Sequence, residues 1–151
     1  MELSYQEKSI VGSLLAMLVV YAYYFASAFR HLGQSQFDGG TLGRLIFTVI
    51  AIIVIEIVYH IALAIRSRPQ PKDERDVLIE CKAYRTAYFA MFSGMSLVIA
   101  WLIVAGLASV AAPGRISVAP FLMVNLILLV LVLTELLKFL SQLFYYRRGL
   151  R

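Results

Sequence analysis

Long uncharged apolar runs organise this chain. Ser9 to Phe29 is 21 residues without a charge, and Leu45 to Ile65 is another 21, interrupted only by Glu56 and the titratable His60. Thr86 to Gly114 runs 29 residues uncharged, and Ile116 to Thr134 runs 19 before Glu135. At ~1.5 Å per helical residue, each run crosses ~30 Å of hydrocarbon. Barrel strands would be ~10 residues long and would alternate between faces, and nothing here alternates. The pattern predicts an all-α fold forming one integral membrane domain over residues 1–151. It is a four-transmembrane-helix bundle of two hairpins, with helices over about 9–31, 43–66, 73–112 and 117–146.

Composition agrees. Hydrophobic residues make up 61% of the 151 and charged residues 15%, where soluble chains average ~45–50% and ~25%. A soluble enzyme, a disordered tail and a secreted disulfide scaffold are excluded. The single cysteine, Cys81, removes any internal disulfide and any multi-cysteine metal site. The net charge of +5 is too widely spread for direct nucleic-acid binding. Ala26-Ser27-Ala28 resembles a signal-peptide cleavage site, but Glu2, Glu7 and Lys8 precede an apolar run too long for one. The first helix is expected to stay.

Cations set the orientation. Eleven of the fourteen Lys and Arg residues fall before helix one, between helices two and three, or towards the C-terminus; Arg30, Arg44 and Arg115 alone fall on the other side. That asymmetry predicts a multi-pass protein of the inner (plasma) membrane with both termini in the cytoplasm. The outer connections, with Asp38-Gly39-Gly40 and Pro113-Gly114 as turn signals, are too short for a ligand-binding ectodomain.

The connection between the hairpins is richer. Pro69-Gln70-Pro71 breaks helix two, and Asp73 then stands where an N-cap belongs, with Asp76 three residues on. No proline follows until Pro113, so helix three is expected to extend ~15–20 Å into the cytoplasm. Within it, only Lys72 and Asp76 form an attractive pair at helical spacing. Two readings are open. Asp73, Glu74, Arg75, Asp76 and Glu80 form either a solvated helix start or a docking face, whose acids meet cations in the Arg147-Arg148 tail or on a cytoplasmic protein partner.

Lys72-Asp73-Glu74-Arg75-Asp76, followed by Ile79 and Lys82-Ala83, resembles small prokaryotic four-helix integral membrane proteins, themselves uncharacterised, that carry a KDERD-type motif before the third helix. The resemblance spans the whole chain and implies the same four-helix architecture. Some such proteins are encoded beside small helix-turn-helix regulators, which implies a regulatory partnership. It implies no catalytic residues.

Glu56 and Glu135 each lie in the returning helix of a hairpin, and offsets of 74 and 79 residues bring Lys8 onto Lys82, Ala16 onto Ala90, Met17 onto Met91 and Glu56 onto Glu135. Both carboxylates are expected ~15 Å from the inner interface, at one depth, as a pseudo-twofold repeat would place them. An ionisable group at mid-membrane costs at least ~2.5–3.5 kcal/mol and faces a bundle interior. His60 stands four residues from Glu56, and Lys138 three from Glu135. The cluster Glu56, His60, Glu135 and Lys138 therefore either compensates itself or keeps one carboxylate protonated. Its role is open between polar glue fixing helix register, a proton or cation pathway, and ligand or quinone binding.

Other chemistry is thin. His31 and His60 fall at opposite ends of the membrane, excluding bis-histidine haem ligation. Asp73, Asp76 and Glu80 have spacing that a divalent ion could use, though it is common on helices, and no metal or other cofactor is expected. Cys81 beside Lys82 is read as inert packing, and Trp101 as core or lipid-facing bulk. Ala90 and Gly94 form a small-x-x-x-small pair suited to close helix contact, within the chain or in a homodimer. No nucleophile–base pair or phosphate-cradling loop appears, so no enzyme is expected. The leading expectation is a membrane regulatory or interaction protein, embedded in the lipid bilayer, whose cytoplasmic helix docks a soluble partner such as a transcriptional regulator. The alternative is a small proton- or cation-coupled transporter or channel component using Glu56 and Glu135; a third is a structural subunit of a larger membrane complex.

Overall fold

A computed structural model describes residues 4–30, 39–67, 71–111 and 120–148. These residues form four helices: α1 (Tyr5–Arg30), α2 (Gly39–Arg66), α3 (Glu74–Ala111) and α4 (Pro120–Arg148). There is no strand among the described residues. All four helices are long and apolar enough to cross a membrane, and the fold is an all-α four-helix bundle.

Local chemistry explains where the helices begin. Ser4 and Glu7 form a reciprocal capping box: Ser4 N–H donates to Glu7 Oε2 at 2.9 Å, and Glu7 N–H donates to Ser4 Oγ at 3.2 Å. α1 therefore starts at Tyr5, four residues before the uncharged run opens at Ser9. Gly39 and Gly40, read as turn residues from sequence, are instead the first residues of α2; glycine's cost is small where the first-turn N–H groups have no intrahelical partner. Asp38 and the Pro113-Gly114 turn lie outside the described residues.

Asp73 caps α3. Its carbonyl accepts the Val77 N–H at 3.1 Å, its carboxylate accepts the Glu74 N–H at 2.7 Å, and Asp76 reaches back to accept the Asp73 N–H at 3.1 Å. α3 then runs 38 residues without a break, ~57 Å at helical rise against ~30 Å of hydrocarbon. α4 opens on Pro120, whose missing N–H costs nothing at a first helical position.

The helices are arranged as α2–α1–α4–α3. α1 packs on α2 and α4, α3 packs on α4, and α2 and α3 make no close backbone approach among the described residues. The starts of α1 and α3 and the ends of α2 and α4 meet at one end, here called the charged end. The central face of α1 supplies Met17, Tyr21, Tyr24, Phe25 and Ala28 to a core completed by Ile52, Phe121 and Val132. Tyr24 O–H donates to Asn125 Oδ1 at 3.0 Å, and Asn125 Nδ2 donates to the Phe121 carbonyl at 2.8 Å, so this buried amide is satisfied and pins α1 to α4.

α3 meets α4 through Ile79, Ala83 and Ala87, one turn apart and buried. A Cβ on Gly94 would come within 2.8 Å of Val130 Cγ1. The small residues thus serve helix contact within the chain, where close approach replaces the hydrophobic effect that lipid does not supply. The outer faces stay apolar: Phe47 is 72% exposed, Ile65 83% and Val110 80%. Total accessible surface is 10452 Å², against roughly 7,700 Å² for a soluble protein of this mass. Such a surface belongs in lipid.

Candidate functional site

The site is built from the turn of α2 that carries Glu56 and His60. Those residues are four apart and share a face turned towards α1 and the bundle interior. The His60 ring lies between two α1 hydroxyls, with Ser9 Oγ 3.5 Å from Nδ1 and Ser13 Oγ 3.2 Å from Nε2. Serine hydroxyls both donate and accept, so this pair satisfies the imidazole whether it is neutral or doubly protonated. Next to it, Tyr59 O–H donates to the Lys8 carbonyl at 2.6 Å. The Tyr59 ring crosses α1 at Gly12, where a Cβ would fall inside the ring. Any larger residue there would displace the ring.

These residues open onto a cavity of about 300 Å³ lined by all four helices. α1 contributes Ser9 and Ser13, α2 contributes Glu56 and His60, α3 contributes Glu80 and Tyr84, and α4 contributes Lys138, Phe139, Gln142 and Tyr146. Lys72 stands at its charged end. The cavity exists because α2 and α3, the outermost helices, face each other across α1 and α4 without closing.

The charges in and around it are partly neutralised. Lys138 pairs with Glu135 one turn earlier and also lies 5.2 Å from the Tyr84 ring centre and 4.6 Å from that of Phe139. Lys72 pairs with Glu80 at 2.6 Å. Glu56 differs. Among the described residues its carboxylate has neither a hydrogen-bond nor an ion-pair partner, with the Tyr21 phenol in electrostatic reach.

At the mouth, Tyr146 O–H donates to Asp76 Oδ1 at 2.8 Å, and Arg75 donates to the Tyr146 carbonyl at 3.4 Å. Tyr146 lies beyond the apolar run of α4, beside Arg147 and Arg148. Burial first, then the hydrogen bond and the negative charge of Asp76, push its phenol well above the ordinary value.

Of the four intramembrane residues expected from sequence, Glu56, His60 and Lys138 line one cavity; Glu135 stands outside the lining, bonded to Lys138. At the start of α3, Asp73 is spent on capping, Asp76 on the Asp73 N–H and on Tyr146, and Glu80 on Lys72. Glu74 is exposed, and Arg75, also exposed, donates to the Tyr146 carbonyl. The Lys72–Asp76 pair expected from spacing is replaced by Lys72–Glu80, because Lys72 precedes the helix and its side chain is not bound by helical spacing. Asp76 meets a phenol rather than Arg147 or Arg148. Ser9, Ser13, Tyr84 and Gln142 were not singled out from sequence. Ser9 and Ser13 did carry a trace, two hydroxyls four apart on one helical face.

His31 lies outside the described residues. No group of three or more His, Cys, Asp or Glu side chains that could hold a metal ion occurs among the described residues. Cys81 is an exposed free thiol, and Trp101 is 41% exposed on the lipid-facing side of α3. Comparison with protein-family models, with curated proteins and with solved structures finds no match to this chain.

Proposed function

We propose that this is a multi-pass plasma-membrane protein with its termini in the cytoplasm, and that it handles protons or small cations through the four-helix cavity. The single observation that carries this is Glu56: a carboxylate facing a polar cavity among transmembrane helices, without a neutralising partner among the described residues. Holding a charge there costs at least ~2.5–3.5 kcal/mol unless a cation or proton joins it. The His60 relay to Ser9 and Ser13, indifferent to the charge of the ring, gives protons a place to stop one turn away. The eleven-to-three split of cations supports the orientation, opening the cavity towards the cytoplasm.

The test is flux. Reconstituted in liposomes with imposed pH and cation gradients, the wild-type protein carries a pH-dependent flux, and Glu56→Gln abolishes it while the helices remain folded. Wild-type liposomes silent under every gradient overturn the reading.

A second reading keeps the docking role of the α3 start and of a soluble partner, such as the regulator implied by the resemblance. What favours it is that Glu74 and Arg75 stay exposed at the end of a helix longer than the bilayer requires. Reversing both charges would then weaken partner binding in a salt-sensitive way, chiefly through association rate. Binding unchanged at low salt ends that reading.

A further inference from the structure

We infer that the cavity binds a small protonated amine, held between the Glu56 carboxylate and the aromatic wall of Tyr84 and Phe139. This rests on the cation-handling reading and names its ligand. Charge comes first. In and beside the cavity stand three carboxylates, Glu56, Glu80 and Glu135, against two ammoniums, Lys72 and Lys138. Both ammoniums already have carboxylate partners, so the carboxylate left without one among the described residues is Glu56, with the His60 ring one turn away held by Ser9 and Ser13. The site calls for a cation.

Shape and wall chemistry then choose among cations. A volume of about 300 Å³ is room for roughly ten waters at ~30 Å³ each, far more than a bare ion fills, and it lies at the lower bound of small-molecule sites. A divalent ion seeks ~6–8 hard oxygens, several of them carboxylate, and this wall has one carboxylate to spare. Aromatic faces attract ammonium groups within ~6 Å of the ring centre. The wall already displays the contact: the Lys138 ammonium sits 5.2 Å from the Tyr84 ring centre and 4.6 Å from that of Phe139, with Glu135 as its counter-ion. That is an alkylammonium bound by carboxylate and rings. Glu56 lines the same cavity as these rings and has the carboxylate but lacks the amine.

The experiment titrates n-butylammonium into the purified full chain in neutral detergent and reads heat. Sodium, potassium and n-butanol serve as separate titrants, and liposome flux is measured in parallel. The expected result is saturable butylammonium binding that weakens at least tenfold in Glu56→Gln and several-fold in Tyr84→Leu. Butanol does not bind, and sodium and potassium at equal ionic strength do not compete. Competition by sodium or potassium at concentrations that match butylammonium overturns the amine assignment while leaving the cation-handling reading intact. Butylammonium binding that Glu56→Gln does not weaken overturns the Glu56 site. Absence of binding by any cation together with silent liposomes overturns both. Should Glu56→Gln lose its fold, Glu56→Asp keeps the charge and shortens the reach, and binding unchanged in both Glu56→Asp and Tyr84→Leu overturns the proposal.

Discussion

Glu56 and Glu135 hold corresponding places, each in the returning helix of its hairpin and roughly three turns from the charged end, yet their surroundings are opposite. Glu135 has Lys138 one turn along and is neutralised within its own helix. At the same spacing Glu56 has Tyr59, which turns away to the Lys8 carbonyl, and then His60, which turns to Ser9 and Ser13. The hairpins around them differ in the same sense. α3 and α4 close on each other through Ile79, Ala83, Ala87 and Gly94, and Tyr146 joins Asp76 at the top. α1 and α2 meet over less of their length, and α2 is exposed along most of its apolar surface. The difference teaches that the α3–α4 hairpin pairs its glutamate within one helix, while the polar neighbours of Glu56 bridge to α1 and leave it without a partner among the described residues.

The comparison breaks most visibly at Lys138. Lys138→Met leaves Glu135 unneutralised at membrane depth, at an expected cost on the order of 2.5–3.5 kcal/mol, read as a lower thermal midpoint in detergent. Adding Glu135→Gln to that variant should return most of the loss, which separates the ion pair from the Tyr84 and Phe139 contacts. Glu56→Gln, by contrast, should cost under ~1 kcal/mol, because no described residue pairs with the carboxylate and the amide can still hydrogen-bond. Equal losses in Lys138→Met and Glu56→Gln would abolish the distinction between the two glutamates.

The glycines sharpen it next. Gly12→Ala puts a methyl inside the Tyr59 ring, so the ring must leave and its 2.6 Å hydrogen bond to the Lys8 carbonyl goes with it. Overpacking of this kind costs ~1–3 kcal/mol. Gly94→Ala meets only a Val130 methyl at 2.8 Å, and turning that side chain costs about 0.5–1.5 kcal/mol. Thermal midpoints should therefore fall further for Gly12→Ala than for Gly94→Ala. Gly12→Ala combined with Tyr59→Leu should recover much of the difference. The reverse order would mean that α1 and α2 adapt more freely than their side-chain register implies.

Much of this was legible in the chain. Apolar run length gave four helices and their antiparallel order, since those depend only on the cost of unpaired backbone in lipid. Asp73 was readable as a cap because capping is local. Ser4-x-x-Glu7 had the same legibility, and it moved the start of α1 when the structure supplied it. What could not be read was anything set by rotation of one helix about another. That Glu56 and Lys138 line one cavity while Glu135 does not depends on which faces of α1 and α4 meet, and apolar residues all round these helices leave that undetermined. Tyr24 and Asn125, 101 positions apart, find each other for the same reason. Lys72 and Glu80 pair across eight positions because Lys72 precedes the helix and its side chain is not bound by helical spacing.

The smallest expected effect lies at the charged end, where Tyr146 ties the α3–α4 hairpin by donating to Asp76 at 2.8 Å. Tyr146→Phe removes one hydrogen bond to a charged acceptor and should cost about 1.5 kcal/mol at neutral pH, near the low end for such bonds. The pH dependence carries the sharper information. The phenol is raised above its ordinary value in the folded chain by burial and by Asp76, so the fold holds its neutral form. Its contribution is therefore whole below the unfolded value of ~10 and is lost as the pH climbs from there towards the raised one. One unit above the unfolded value, the loss is ~1.4 kcal/mol. The gap between wild type and Tyr146→Phe, read as unfolding free energy in detergent, should thus be open at pH 8 and nearly closed at pH 11. Lysines that titrate over the same range do so in both proteins and cancel in the difference. A Tyr146→Phe gap that stays constant from pH 8 to pH 11 would mean that the phenol is not held neutral by Asp76, and that the α3–α4 hairpin is closed by apolar packing alone.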